Sequence, residues 1–167
     1  YSLRKFPATA RDVLQWMFTG SGAFTVNPVQ GCGFVKSSVA GDLPDLQLVF
    51  IPALASPHGR ETLTGHGISL HICHLYPRSR GRLTLKSADP GDHIVIDPNY
   101  LDHEQDVTAM TDALEMASDI LRSDAFKDEF QSLDLPSESD GSRASLEDDM
   151  RARAETLYHP TSTCAMG

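Results

Sequence analysis

The chain has 167 residues and a formal charge of −9, from 23 acidic and 14 basic residues. This charge repels a phosphate backbone, and no basic run in the sequence offsets it, so nucleic-acid binding is disfavoured. The length and a hydrophobic share of 40% predict a single globular core, and they exclude a fibrous or wholly disordered chain.

The first half of the chain predicts a helix followed by strands. Apolar residues recur at helical spacing over residues 10–18, and the glycines just after this stretch predict its end. The segments 31–37 and 46–51 are β-prone and flank a polar loop. Residues 55–67 are rich in proline, glycine, histidine and charge, which predicts a long surface loop.

Further strands are predicted at residues 68–76, 82–86 and 94–96. The segment 82–86 alternates polar and apolar side chains, as a half-buried antiparallel strand does. The short turn-like stretch 77–81 precedes it. We therefore expect the strands at 68–76 and 82–86 to form a hairpin.

The longest periodic element lies in the second half of the chain. Its apolar residues recur at helical spacing and predict one buried face; they are Val107, Met110, Leu114, Ala117 and Leu121. A shorter helical piece is expected at 125–130 and a surface connector at 135–143. A last helix is expected to start at Ser145, whose hydroxyl can cap it, and to run toward Leu157.

Successive strands framed by helices predict an α+β fold, with an antiparallel or mixed sheet flanked by helices. A β-α-β series is not expected. The dinucleotide-binding glycine fingerprint and the phosphate-binding P-loop are both absent from the sequence, so we expect no nucleotide-binding element in this chain.

The richest chemistry lies at residues 158–167, where a histidine is followed by a proline, small hydroxyl residues and a thiol. The imidazole of His159 can accept a proton from a hydroxyl near neutral pH, which makes it the leading catalytic candidate. A histidine–proline pair alone is a weak signal, because the ring can simply satisfy a backbone carbonyl.

A metal site is a competing hypothesis, with His71, Cys73 and His74 as ligands and His66 or His58 added. Strand alternation places the first two on one face and the third on the other. Only two ligands then converge where a closed zinc site needs four, so we expect no metal. The three cysteines lack CxxC spacing, and reduced thiols are expected.

The terminal segment resembles the HPxGTCxMG motif of the glucose-methanol-choline (GMC) family of flavin-dependent oxidoreductases. The stretch 77–90, PRSRGRLTLKSADP, and the stretch 96–101, IDPNYL, are similar to two other motifs of that family, in matching order. The resemblance covers nearly the whole chain. Ser162 departs from this motif, since the family usually has glycine there.

This resemblance implies that residues 1–167 are a single substrate-binding domain fragment of a larger two-domain enzyme. The FAD-binding domain would be absent from this chain, and the second catalytic residue would lie beyond Gly167. His159 matches the histidine that accepts the alcohol proton while a hydride moves to FAD. The implied partners are a small alcohol and an electron acceptor, either oxygen or a quinone-like molecule.

The resemblance also implies three substrate-binding residues. Gln30 falls where choline-oxidising members have a glutamate that faces the quaternary ammonium, so an uncharged primary alcohol is favoured over choline. Tyr76 and Leu157 match positions that line the substrate pocket, although a tyrosine or leucine is more often ordinary core. A choline dehydrogenase-like enzyme and a non-catalytic binding module remain the alternatives.

The location of the protein is only weakly bounded by the sequence. It contains no apolar run of about 18 residues and no recognisable signal peptide. A cytoplasmic or peripherally membrane-associated location is favoured on this basis.

Overall fold

A computed structural model describes residues 6–27, 29–54, 67–133 and 142–159. In chain order the elements are α1 (Phe6–Thr19), β1 (Gly31–Val35), β2 (Leu46–Ile51), β3 (Ser69–His74), β4 (Arg82–Thr84), β5 (Val95–Asp97), α2 (Glu104–Leu121) and α3 (Arg143–Arg153). The predicted α+β class is confirmed. No helix within these ranges is both long and apolar enough to cross a bilayer.

The chain packs as two compact units. The first contains Tyr1–Phe34 and Gln47–Ile72, and the second contains Val35–Leu46 and Cys73–Gly167. Helix α1 and most of a three-stranded sheet, in the order β1-β2-β3, belong to the first unit. The single domain predicted for residues 1–167 stays a prediction.

The core of the second unit forms where α2 packs against α3. The face of α2 that is most buried is made largely of small side chains, which let another element approach closely. Buried apolar side chains of this unit are Leu46, Val107, Ala109, Ala113, Ala117, Leu146 and Met150. The predicted helix is therefore confirmed, while Met110, Leu114 and Leu121 are only half-buried.

The start of α3 differs from its prediction. Ser142, not Ser145, is the N-cap, because its hydroxyl accepts a hydrogen bond of 3.2 Å from the Ser145 N–H. Two serines three residues apart can each cap a helix, and the upstream one takes this role. Residues 123–129 form turns and bends instead of the helical piece expected at 125–130. Most of the connector expected at 135–143 and the loop at 55–67 lies outside the described residues.

The predicted hairpin between 68–76 and 82–86 is wrong. Strand β4 pairs antiparallel with β5, in the register Arg82↔Asp97, Leu83↔Ile96 and Thr84↔Val95, while β3 belongs to the three-stranded sheet. The alternation in 82–86 was a correct sign of a strand but carried no information about its partner. The segment between the strands is held elsewhere, by a carboxylate of α2 described below.

The backbone of β5 passes very close to Gly81 at the start of the β4–β5 ribbon. A Cβ atom at this position would collide with the carbonyl oxygens of Asp97 and Pro98. Backbone atoms cannot move aside as the end of a flexible side chain can, so only glycine fits here without a shift of the ribbon.

We predict that Gly81→Ala lowers the free energy of unfolding by roughly 1–3 kcal/mol, the usual range for overpacking. Gly41→Ala is the matched control, because a Cβ there meets no atom within 4 Å. Urea unfolding monitored by circular dichroism measures both. Equal stabilities for the two variants would contradict the close approach.

Candidate functional site

The most heavily bonded carboxylate among the described residues belongs to Asp106, which is 2% exposed in the first turn of α2. Its oxygens accept the backbone N–H of Arg78, at 2.8 and 3.1 Å, and the N–H of Ser79 at 2.8 Å. The Ser79 hydroxyl donates a further bond of 2.5 Å. Burial acts to raise the pKa of Asp106, but these hydrogen bonds outweigh it and the pKa is lowered. Asp106 is therefore an anion that anchors residues 78–79 to α2.

A second carboxylate of α2 anchors a different loop. Asp112 accepts the Ser38 N–H at 2.8 Å and a 2.6 Å bond from the guanidinium of Arg143, the first residue of α3. The same guanidinium reaches Glu115 at 2.9 Å. Burial acts to raise the pKa of Asp112, yet the bonds from Ser38 and Arg143 lower it overall. Helix α2 thus fixes both the loop between β1 and β2 and the start of α3.

The loop between β1 and β2 is closed by a third buried carboxylate. Asp45 accepts the Ser37 N–H at 2.8 Å and the Ser37 hydroxyl at 2.5 Å, and both residues are buried. The backbone carbonyl of Asp45 also accepts the Leu75 N–H at 2.8 Å. The loop 37–45 is consequently tied down at both ends within the second unit.

These anchored segments surround an open pocket of about 580 Å³ in the second unit. Its wall combines the loop 39–43 with side chains of opposite charge and one aromatic ring. Besides that loop, the lining residues are Asp45, His74, Tyr76, Arg78, Gln105 and Asp106. A volume of this size suits a small organic molecule.

His74 lies close to the Asp106 carboxylate and also feels the negative charge of Asp45. Its Nδ1 atom is 3.8 Å from the Asp106 carboxylate, and its side chain is 12% exposed. Burial lowers the pKa of His74, and the negative charges of Asp106 and Asp45 offset this only in part. The imidazole is therefore neutral at pH 7 and lines the pocket as a polar, uncharged group.

This lowered pKa makes stability depend on pH, with a defined sign. An unfolded histidine titrates near its ordinary value of 6.5, whereas folded His74 binds a proton only at lower pH. We predict that the free energy of unfolding falls as pH drops from 6.5 toward the folded pKa. His74→Gln should flatten this part of the profile, and His93→Gln, at an exposed site, should not. Unfolding by urea between pH 7.5 and 5 measures the slopes, and identical slopes for wild type and His74→Gln would refute the assignment.

The sequence-predicted catalytic residue lies at the end of the described chain. His159 is exposed, and Tyr158 before it has a positive φ of 62°. The Tyr158 N–H donates a 3.0 Å bond to the Thr156 hydroxyl, which holds this turn. Leu157 is half-buried, and neither it nor His159 lines the pocket. Residues 160–167, which carry the rest of the motif, lie outside the described part of the chain.

The other two predicted substrate residues fall in different units. Tyr76 is 60% exposed and lines the pocket of the second unit. Gln30 belongs to the first unit, where its side-chain amide donates a 2.6 Å bond to the Asn27 carbonyl and its N–H bonds to the Phe50 carbonyl at 3.0 Å. Their roles remain predictions.

Two residues of the metal hypothesis, His74 and Cys73, have other partners. His74 faces Asp106, and the Cys73 thiol contacts the His74 carbonyl at 3.8 Å. Burial raises the pKa of Cys73, which keeps the thiol protonated. Among the described residues no three His, Cys, Asp or Glu side chains are grouped as a metal centre requires. His58 and His66 lie outside those residues.

The anchoring carboxylates were missed by the sequence reasoning. Asp106 reads as an ordinary acidic residue in the first turn of a helix, and Asp45 as a loop residue. One signal was available, since the motif stretch 77–81 has two consecutive N–H donors, at Arg78 and Ser79, that no strand ladder uses. Such donors call for an acceptor elsewhere in the chain.

The α+β fold and the HPxxTCxMG segment that contains the exposed His159 are those expected of a GMC-type flavin-dependent oxidoreductase. The comparison with protein families gives the same class. Residues 77–167, more than half of the chain, match the family described as GMC oxidoreductase. The chain belongs to the GMC oxidoreductase family.

Individual relatives are similar to this chain over most of its length. The chain is 40% identical over 155 residues to an alcohol dehydrogenase [acceptor] of Pseudomonas putida, a match that covers 93% of this chain and 28% of that protein. It is 34% identical over 154 residues to an oxygen-dependent choline dehydrogenase of Pseudomonas aeruginosa (strain LESB58), covering 92% and 27%. The chain therefore spans little more than a quarter of the length of these relatives.

A solved structure shares the fold. A formate oxidase from Aspergillus oryzae RIB40 superimposes with a TM-score of 0.77 at 22% identity, covering 96% of this chain and 33% of that one. At this identity the likeness speaks for the fold alone.

Proposed function

We propose that this chain is the substrate-binding part of an FAD-dependent oxidoreductase that converts an uncharged primary alcohol into an aldehyde. The observation that carries the proposal is the 40% identity to an alcohol dehydrogenase over 93% of the chain. The histidine of the HP segment and the neutral amide at Gln30 support it.

The described residues are consistent with a chain that binds the substrate, while another part of the polypeptide binds FAD. His159 and Tyr158 are both exposed, so the imidazole is open to a group held by another part of a longer polypeptide. The sequence contains no glycine-rich loop to receive a pyrophosphate. A bound FAD would supply the acceptor for a hydride.

In this proposal His159 acts as the general base. Its imidazole accepts the hydroxyl proton of the alcohol, while a hydride leaves the carbinol carbon with the electron pair of its C–H bond and the carbonyl double bond forms. The turn at Tyr158, held by the Thr156 hydroxyl, fixes the backbone that carries the ring. Such positioning lowers the entropic part of the barrier.

We predict that His159→Ala in the full-length enzyme lowers turnover at saturating alcohol by roughly 100- to 10,000-fold, because proton transfer loses its positioned base. The flavin absorbance and the melting temperature should not change. His93→Ala, at another exposed histidine, is the control and should retain turnover. Near-wild-type turnover of His159→Ala would exclude the assigned role.

Choline dehydrogenation is the second candidate, and the 34% identity to such an enzyme favours it. The charge at position 30 separates the two candidates. A neutral amide lacks most of the attraction that a carboxylate exerts on a quaternary ammonium. In addition, the Gln30 amide is engaged by the Asn27 carbonyl, a bond that a carboxylate cannot donate.

We predict that Gln30→Glu raises kcat/KM for choline relative to a neutral alcohol of similar size, by roughly 10-fold if the carboxylate reaches within about 4 Å of the cation. Gln131→Glu adds the same charge at an exposed site and should leave the ratio unchanged. Steady-state assays on both alcohols provide the test. An unchanged ratio in Gln30→Glu counts against a substrate-binding role for this residue.

A further inference from the structure

Residues 75–79, which we call the tethered segment, follow β3 and are tied to the second unit at both ends. At the first end the Leu75 N–H donates a 2.8 Å bond to the backbone carbonyl of Asp45. At the other end the Arg78 N–H donates a 2.8 Å bond to the Asp106 carboxylate. A backbone held at two points so close together leaves the residues between them little freedom in direction.

Tyr76 lies inside the tethered segment, and its ring lines the pocket of about 580 Å³. The following residue is Pro77, whose own ring restricts the backbone of both residues. The Tyr76 side chain is 60% exposed, and two aliphatic side chains that also line the pocket, Leu43 and Val39, are 63% and 38% exposed. An aromatic ring on a fixed backbone, with aliphatic side chains in the same pocket, is a surface for the hydrocarbon part of a small molecule.

The Asp106 carboxylate is engaged in holding this segment. It is 2% exposed and accepts bonds from the N–H groups of Arg78 and Ser79 and from the Ser79 hydroxyl. The Ser79 hydroxyl in turn accepts the N–H of His103, the N-cap of α2, at 3.0 Å. The end of the tethered segment is therefore fixed to the first turn of a helix. A buried acid in this position acts on a bound molecule through the segment that it holds.

We propose that Asp106 is a positioning residue for substrate binding, which holds residues 75–79 so that the Tyr76 ring packs against the hydrocarbon part of the alcohol. This inference rests on the proposed function, because it takes the bound molecule to be an alcohol. Asp106 and Tyr76 then contribute to affinity as one unit, since the carboxylate acts only through the ring. A carboxylate that merely stabilised the fold would change the melting temperature and leave the affinity as it is.

A double-mutant cycle separates these two roles. Four full-length proteins carry His159→Ala, so that binding is measured without turnover: one has no other change, and the others have Tyr76→Ala, Asp106→Asn or both. The probe is benzyl alcohol, an uncharged primary alcohol, and its Kd is measured by NMR titration. Each single change should raise Kd roughly 10-fold, and so should the double change, because independent effects alone would multiply to roughly 100-fold. Tyr100→Ala removes another exposed tyrosine, which does not line the pocket, and should leave Kd unchanged.

Two further measurements on the same proteins report on the tether itself. Asp106→Asn should lower the melting temperature by a similar amount whether Tyr76 is present or replaced, because stability and affinity depend on different contacts. Hydrogen exchange resolved to single amides should show that the N–H groups of Arg78 and Ser79 lose at least about 10-fold of their protection in Asp106→Asn. The Leu75 N–H should keep its protection, since its acceptor is a backbone carbonyl.

Three results would overturn the positioning role of Asp106. They are an unchanged Kd in an Asp106→Asn protein whose Arg78 and Ser79 amides exchange faster, effects that multiply in the double variant, and no measurable binding of benzyl alcohol when both side chains are intact. Should Asp106→Asn fail to fold, Ser79→Ala takes its place in the cycle, because it removes only the 2.5 Å hydroxyl bond. A protein with His159 intact that binds the alcohol but does not reduce its flavin would contradict the proposed function and leave the result of the cycle standing.

Discussion

One buried carboxylate determines much of this structure. Asp106 accepts hydrogen bonds from the N–H groups of Arg78 and Ser79, and these bonds set the direction of the chain after β3. Residues 77–81 are thereby held against α2, and β4 pairs with β5 and not with β3. Removing the carboxylate would leave three part-buried donors without this acceptor, namely the N–H groups of Arg78 and Ser79 and the Ser79 hydroxyl, and each such loss destabilises the fold. Burial acts to raise the pKa of Asp106, but the hydrogen bonds from Arg78 and Ser79 outweigh this effect, so the pKa is lowered.

Elements with strong local signals were predictable from the sequence. Strand β2 occupies the predicted residues 46–51, and α2 follows an apolar period that continues for four turns. The pairing of β4 was not predictable, because alternation identifies a strand but not its neighbour. That choice depends on Asp106, which lies 27 residues from Ser79 in the chain. A local sequence pattern does not reveal a hydrogen bond between residues so far apart in the chain.

The residues of the candidate site also divide into those that a sequence pattern singled out and those that it did not. His159 was proposed from its motif, since a histidine before a proline in that segment is a local feature of the sequence, and its role stays a prediction. The arrangement of His74 with Asp45 and Asp106 was not found, because each carboxylate looks like a surface acid until the fold buries it. The pKa of the half-buried His74 is lowered because desolvation outweighs the attraction of the two carboxylates, a balance set by tertiary packing.

Backbone strain links the motif to the proposed chemistry. Tyr158 has φ of 62°, a conformation that costs a bulky residue roughly 1–2 kcal/mol. The bond from its N–H to the Thr156 hydroxyl offsets part of this cost. A proline follows His159, and it restricts the histidine backbone from the other side. The imidazole is thus carried on a backbone constrained on both sides, as the proposed general base would require, because its effect on rate would depend on orientation.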